Sequence, residues 1–215
     1  MKRIGIIGSG AVAKTLASGY IKHGYDVMMG TRTASKLDEW KAKHEHGKVG
    51  SFDEAAGWGE LLVLAVKGSV AKDALIMMGK ENLKGKTIID TTNPIASEIP
   101  PVNGVLSYFT PANSSLHEDL QHAFPEAHFV KCYNSVGSPF MVDPDFGGVK
   151  PTMFICGNSD AAKMEVKEIL AKTGWETEDM GKAEAARGIE PLCVLWCTLG
   201  FNGGGWSHAF KLLKK

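Results

Sequence analysis

The first thirteen residues constrain this chain more than any other stretch. Lys2 to Ile7 is a short run, rich in isoleucine, that reads as a buried strand. Gly8-Ser9-Gly10-Ala11-Val12-Ala13 follows at once. From Ala11 to His23 apolar residues recur at helical spacing, and Gly24 ends the helix by accepting a left-handed cap. A strand, a glycine turn and a helix in this order open a dinucleotide-binding unit. Gly8 permits the tight turn. Gly10 removes a side chain where a pyrophosphate must touch backbone, and Ala13 is small enough for the helix to pack closely on a sheet. The helix N-terminus at Ala11 and Val12 offers free N–H groups and a positive dipole end to the phosphates.

The pattern then repeats. Asp26 to Met29, Val49 to Phe52, Leu61 to Val66, Thr87 to Asp90 and His128 to Cys132 read as further strands. Ser35 to His46, Val70 to Met78 and Ser114 to Ala123 read as helices between them, with an irregular excursion over 95–111. Alternating strands and helices imply an α/β fold: a doubly wound parallel sheet with right-handed crossovers. After a Gly- and Pro-rich loop at 134–150, a strand (Thr152 to Cys156), a helix (Asp160 to Thr173) and a short strand (Trp175 to Glu178) extend the sheet. From Lys182 the chain reads as helical up to Gly203, and Ser207 to Leu213 as a closing helix. The organisation expected is a dinucleotide-binding domain at 1–133, a sheet extension with the substrate loop at 134–181, and a small helical segment at 182–215.

Composition narrows the partners. Lys plus Arg equals Asp plus Glu at 24 each, so the net charge is zero. That balance argues against nucleic acid or a membrane surface, which need a positive field. No apolar run approaches the ~18 residues of a membrane span, and the N-terminus lacks a signal-peptide core, so the expected location is cytoplasmic. The basic cluster at Lys211 to Lys215 reads as a solvated helix end. Cys132, Cys156, Cys193 and Cys197 sit in apolar surroundings, as buried free thiols do. No metal site is expected, and His117, His122 and His128 read as exposed or satisfied.

The end of the second strand decides between the two dinucleotides. An NAD site places a carboxylate there, about 20 residues past the glycines, for the ribose 2′-hydroxyl. This chain has Gly30-Thr31-Arg32 instead, with Ser35 and Lys36 close behind. Arg32 and Lys36 suit a 2′-phosphate, and Thr31 adds a hydroxyl. The expected cofactor is therefore NADP(H). Ligands of open parallel sheets sit beyond the carboxyl ends of the strands. Those ends are Ala65-Val66-Lys67, Asp90 to Pro94 and Tyr133 to Gly137. Asn93-Pro94 combines turn chemistry with an amide suited to a carboxamide, and Asn134 offers a second amide. Asp90 reads as an acceptor of backbone N–H groups with no catalytic role. Nothing resembles a nucleophile elbow, a phosphate-binding Walker loop or a zinc set, and no catalytic side chain is assigned.

Taken together, GSGAVAKTLA, GTRTASK, DTTNP, KCYNSVGSPFMVDPDFGG, PTMFICGN and RGIEPLCVLW…FNGGG resemble the NADPH-dependent reductases of the deazaflavin coenzyme F420 and their bacterial relatives. The resemblance spans nearly the whole length. It implies that Ser9 joins Thr31, Arg32 and Lys36 at the 2′-phosphate. It implies a deazaflavin ring lying against the nicotinamide, between Asn134-Ser135-Val136-Gly137 and Asn202-Gly203-Gly204-Gly205, and a homodimer. Gly204, where relatives carry a bulkier residue, and the NSVGSPF segment depart from the family pattern in the substrate pocket. Other acceptors, a flavin or a ferric or cupric chelate, and a non-catalytic NADP(H) sensor therefore stand as alternatives.

Overall fold

A computed structural model describes all residues 1–215. Six parallel strands form the main sheet: β1 (Arg3–Ile7), β2 (Asp26–Gly30), β3 (Lys48–Gly50), β4 (Leu61–Leu64), β5 (Thr87–Asp90) and β6 (His128–Lys131). Their spatial order is β3-β2-β1-β4-β5-β6. Strand order reverses between β1 and β4, which opens a crevice at the carboxyl edge of the sheet. The fold is the doubly wound α/β sheet that the sequence implies.

Apolar periodicity explains the layers. Every residue of β4 is buried, as a strand covered on both faces requires. On one face, α1 (Ala11–Lys22) buries Ala13, Leu16, Ala17 and Tyr20 at helical spacing. On the other face lie α3 (Phe52–Trp58), preceded by α2 (Asp38–Lys43) on the first face, then α4 (Ala71–Met78), the short α5 (Lys80–Leu83) and α6 (Leu116–Ala123). Helix α3 falls in a stretch that periodicity leaves unassigned. Its signal is a capping box: Ser51 accepts from the Glu54 N–H while Glu54 accepts from the Ser51 N–H.

Three expectations need correction. The strands β7 (Thr152–Ile155) and β8 (Glu176–Asp179), joined by α7 (Asp160–Lys172), do not extend the main sheet but form a separate parallel pair. The chain leaves β6 through Tyr133, a non-glycine residue at φ +61°. The returning strand meets β6 running the opposite way, and a single bridge, Lys131 to Cys156, joins them. Second, residues 207–213 are not helical. They run beside β7, where Thr152 donates its N–H to Phe210 O and its hydroxyl accepts from the Leu212 N–H. Third, the terminal lysines do not end a helix. Lys211 pairs with Glu176 and Lys214 with Glu178 on β8. The helical reading holds from Ala183 onward, in α8 (Ala186–Ile189) and α9 (Pro191–Leu199), which ends in a widened turn over Gly200–Gly204. No helix is long and apolar enough to cross a membrane.

Leu62 is fully buried at the centre of the sheet, between Gly5 of β1 and Ile88 of β5. Replacing it with alanine should cost about 2–5 kcal/mol, because the surrounding strands relax only partly into the cavity. Urea unfolding followed by circular dichroism should show the midpoint fall with an unchanged slope.

Candidate active site

The crevice begins where three loops meet. Gly8, at φ +138°, carries the chain from β1 to α1, and an added Cβ would lie 2.2 Å from the Ala65 carbonyl. Only glycine fits this crossing of two backbones. Gly10 is the N-cap of α1 and supplies no side-chain cap, and a Cβ added there would meet nothing within 4 Å. The first bond of the helix runs from the Lys14 N–H to Gly10 O. The earlier N–H groups, at exposed Ala11 and half-buried Val12, therefore face open space at the positive end of the helix dipole.

Beyond β2, Arg32 and Lys36 are exposed and pair with no carboxylate in the molecule, and the half-buried Ser9 hydroxyl makes no hydrogen bond. Thr31 differs from them. It is buried, and its hydroxyl donates to Thr33 O while accepting from the Thr33 N–H, both at 3.1 Å. Thr31 thus shapes the loop that presents Arg32. Past β4, Ala65 is buried, Val66 half-buried and Lys67 exposed. Two unpaired cations, a helix end without a side-chain cap and an unobstructed backbone at Gly10 fit a dinucleotide with a 2′-phosphate.

Past β5 and β6 the edge is built from amides. Asn93 is half-buried; its Nδ2 donates to Asn134 O at 2.9 Å, and Asn134 Nδ2 donates back to Asn93 Oδ1 at 3.3 Å. Asn134 is 4% exposed and also donates to Ile189 O at 2.9 Å. Pro94 is buried beside Asn93, and Ser135 and Val136 are buried beside Asn134.

Beneath this pair lies a group of charges with no solvent contact. Lys131 Nζ is 2.8 Å from Asp90 Oδ2 and 2.9 Å from Glu190 Oε1, and it donates to Thr92 O at 2.8 Å. Asp90 also accepts from the Thr92 N–H and hydroxyl, and His117 Nδ1 lies 2.9 Å from its Oδ2. Glu190 accepts from the N–H groups of Leu116 and His117, so its carboxylate caps α6 from a distant part of the chain. Burial by itself pushes the Asp90 carboxyl up, but the Lys131 ammonium and His117 reverse this and hold it well below the usual carboxylate range. Burial likewise disfavours the Lys131 ammonium, and Asp90 and Glu190 outweigh it, so Lys131 stays charged to higher pH than usual.

Sequence reading places Asp90 here as a backbone acceptor, which it is. It misses Lys131, His117 as Asp90's partner, and Glu190. The available signal was a lysine inside the apolar strand HFVKC and a glutamate inside the apolar stretch GIEPLC. Neither can be buried without an opposite charge.

The remaining expected residues divide. A Cβ at Gly137 would lie 3.1 Å from the Trp196 ring, so this loop packs directly on α9. Asn202, Gly203 and Gly204 are exposed at the far end of α9, where Asn202 Nδ2 donates to Asn103 O on the 95–111 excursion. Gly203 takes φ +88° to turn the chain there. The thiols are inert as nucleophiles at the sheet: burial pushes Cys156 up to about 12 and Cys132 well up too.

The sheet order and the glycine turn define a doubly wound, dinucleotide-binding type of fold. Residues 3–94 match the family described as NADP oxidoreductase, coenzyme F420-dependent. A crystal structure from Arthrobacter sp. FB24, provisionally assigned as an F420-dependent NADP reductase, is 33% identical with a TM-score of 0.91, and the match covers 100% of both chains. The chain belongs to this family, and it is an NADP-dependent oxidoreductase. Metalloreductase STEAP3 of Rattus norvegicus is 26% identical over 88% of this chain, which spans 36% of that protein, about a third of its length. A reductive aminase from Aspergillus terreus, solved with NADPH and ethyl-5-oxohexanoate, shares the fold at 20% identity and a TM-score of 0.66, covering 94% of this chain and 63% of that one.

Replacing Lys131 with methionine removes the only ammonium between the buried carboxylates of Asp90 and Glu190 and leaves them to hydrogen-bond donors alone. The variant should lose about 3–5 kcal/mol at neutral pH. Asp90 has a depressed folded-state pKa, so its contribution is present above the unfolded value near ~3.9 and is lost as pH falls through the folded value. Lys131 has a raised one, so its contribution is present below the unfolded value near ~10.4 and is lost as pH rises through the folded value. Urea titrations should therefore show the wild-type advantage over Lys131→Met flat near neutrality and shrinking below about pH 4.

Proposed function

We propose that this chain transfers a hydride between NADP(H) and a deazaflavin-type acceptor, coenzyme F420 or a molecule like it. The observation that carries this reading is the chemistry of the carboxyl edge past β5 and β6. It presents amides and backbone, while His117, Lys131 and Glu190, the groups beneath it that could move a proton, are buried in mutual contact. Bound NADPH supplies a hydride from C4 of its nicotinamide, and transfer to C5 of a deazaflavin calls for close stacking and dryness more than for a side-chain acid.

The chain's own residues divide the work. Gly8, Gly10 and the N–H groups of Ala11 and Val12 cradle the pyrophosphate, and Ser9 turns its hydroxyl to the 2′-phosphate. Arg32 and Lys36 hold the 2′-phosphate on the loop that Thr31 shapes. Ala65, Val66 and Lys67 line the nicotinamide end of the cofactor together with Asn93-Pro94. Ser135, Val136 and Gly137, with Asn202, Gly203 and Gly204, border the acceptor on the α9 side, and Asn134 stands behind Asn93. In this division, residues 1–133 bind the dinucleotide, while 134–181 and 182–215 shape the acceptor side.

Two outcomes test the reading. Absorbance assays should show NADPH oxidised rapidly with the deazaflavin and slowly with riboflavin phosphate or a ferric chelate. The similarity to metalloreductases favours the chelate as the second reading, and faster turnover with it would replace the deazaflavin assignment. Replacing Arg32 with alanine should weaken NADPH binding about ten- to a hundredfold and leave NADH nearly unchanged, read by cofactor fluorescence.

The same reading includes a homodimer. Leu195 and Leu199 expose one stripe of α9, and Phe201 and Trp206 continue it, each about half exposed. A Leu195→Glu change should shift sedimentation toward the monomer while leaving the fold intact.

A further inference from the structure

Cys193 and Cys197 stand four residues apart on α9 and project from one face of the helix, Cys193 buried and Cys197 half-buried. The two thiols share a hydrogen bond, which holds Cys197 below the usual thiol range and, with burial, pushes Cys193 up. The buried Lys131 ammonium acts the other way on Cys193 and favours a thiolate there. The Tyr108 hydroxyl, which donates to Glu190 O at 2.6 Å, stands against Cys193 from the side of the 95–111 excursion.

Geometry separates what such a pair can do. At this spacing on an intact helix, Cβ atoms lie about 5–6 Å apart. A disulfide needs them at about 3.5–4.5 Å, so oxidation would have to unwind α9. A cation held in line between two thiolates spans about 4.6 Å from sulfur to sulfur, at ~2.3 Å per bond, and the helix accommodates that span as it stands. Donor number then selects the ion. No third histidine, cysteine or carboxylate joins the pair, so the tetrahedral set of a structural zinc site is not assembled. Helix α9 carries no charged side chain from Pro191 to Leu199, so a hard cation finds no carboxylate on it. Two soft thiolates with no further ligand suit copper(I).

We propose that Cys193 and Cys197 form a two-coordinate site for a soft monovalent cation, copper(I), on the C-terminal helix. Binding forms two metal–sulfur bonds and releases both thiol protons to water, and no electron is transferred. The charge of the ion offsets the burial that otherwise keeps Cys193 protonated. The sequence expectation of no metal site rests on the lack of a second ligand pair, which a two-coordinate ion does not require. The site does not depend on the identity of the hydride acceptor.

The test titrates the reduced chain with copper(I) in competition with the colorimetric chelator bicinchoninate, without oxygen. Wild-type protein should withdraw one copper(I) per chain, and X-ray absorption should show two sulfur neighbours. Cys193→Ser and Cys197→Ser should each lower the affinity more than about a hundredfold, because the loss of an outer partner alone costs ten- to a hundredfold. Cys156→Ala, which removes a buried thiol beside the sheet, should leave it unchanged. Circular dichroism certifies the fold of each variant, and Cys197→Ser, at the half-buried position, decides the matter if Cys193→Ser does not fold. A wild type that leaves the copper with bicinchoninate, or a Cys197→Ser variant that still takes one equivalent, would overturn the proposal. Half an equivalent with dimeric sedimentation would overturn it too, since the copper would then lie between two chains.

Discussion

An ammonium placed out of reach of water between two carboxylates organises the functional half of this molecule. Lys131 is fully buried and has three acceptors within hydrogen-bond distance, one each from β5, the loop after it, and the start of α9. Such a charge carries a desolvation cost of several kcal/mol, which only near-complete pairing offsets. Its partners are therefore not free to move independently. Glu190 cannot leave Lys131 without also uncapping α6, and Asp90 cannot leave without releasing Thr92 and His117. One cluster thus sets where the C-terminal helices sit against the sheet and where the amides at its edge point.

The two ends of the crevice use charge in opposite ways. At the β1–β2 end, Arg32 and Lys36 stand in solvent without partners, in a chain whose net charge is zero. Exposed cations there cost little and remain available to an anion. At the β5–β6 end every charge is paired and dry, leaving a surface of amides. A neutral, pre-ordered surface of this kind keeps stray proton donors and mobile water away from a molecule bound against it.

The fold was largely legible in the sequence, and the site less evenly. Strand β1, the Gly8 turn and the first helix follow from local pattern alone, since each is fixed by residues next to it. The Arg32 and Lys36 cluster is likewise local. What was not legible depends on distant partners. Lys131, His117 and Glu190 show their role only once the sheet brings Asp90 among them. The closing residues 207–213 have helical composition, but their backbone bonds go to Thr152 at the edge of β7, and those bonds decide their form. Neither the separation of β7 and β8 nor the left-handed turn at Tyr133 has a local mark, since no propensity assigns an aromatic residue to that conformation.

The separation in sequence between Glu190 and its partners also imposes an order on biosynthesis. The bond from His117 to Glu190 spans 73 residues. As the chain leaves the ribosome, β1 to β5 and the glycine turn can assemble first, while Lys131 and Asp90 emerge with no second carboxylate to complete their pairing. The β1–α1 turn is then shaped before the edge at Asn93 and Asn134 is, and the start of α6 waits for its cap. A nascent chain halted before Glu190 would hold Lys131 beside Asp90 alone, so the ion cluster is completed only when the C-terminal helices arrive.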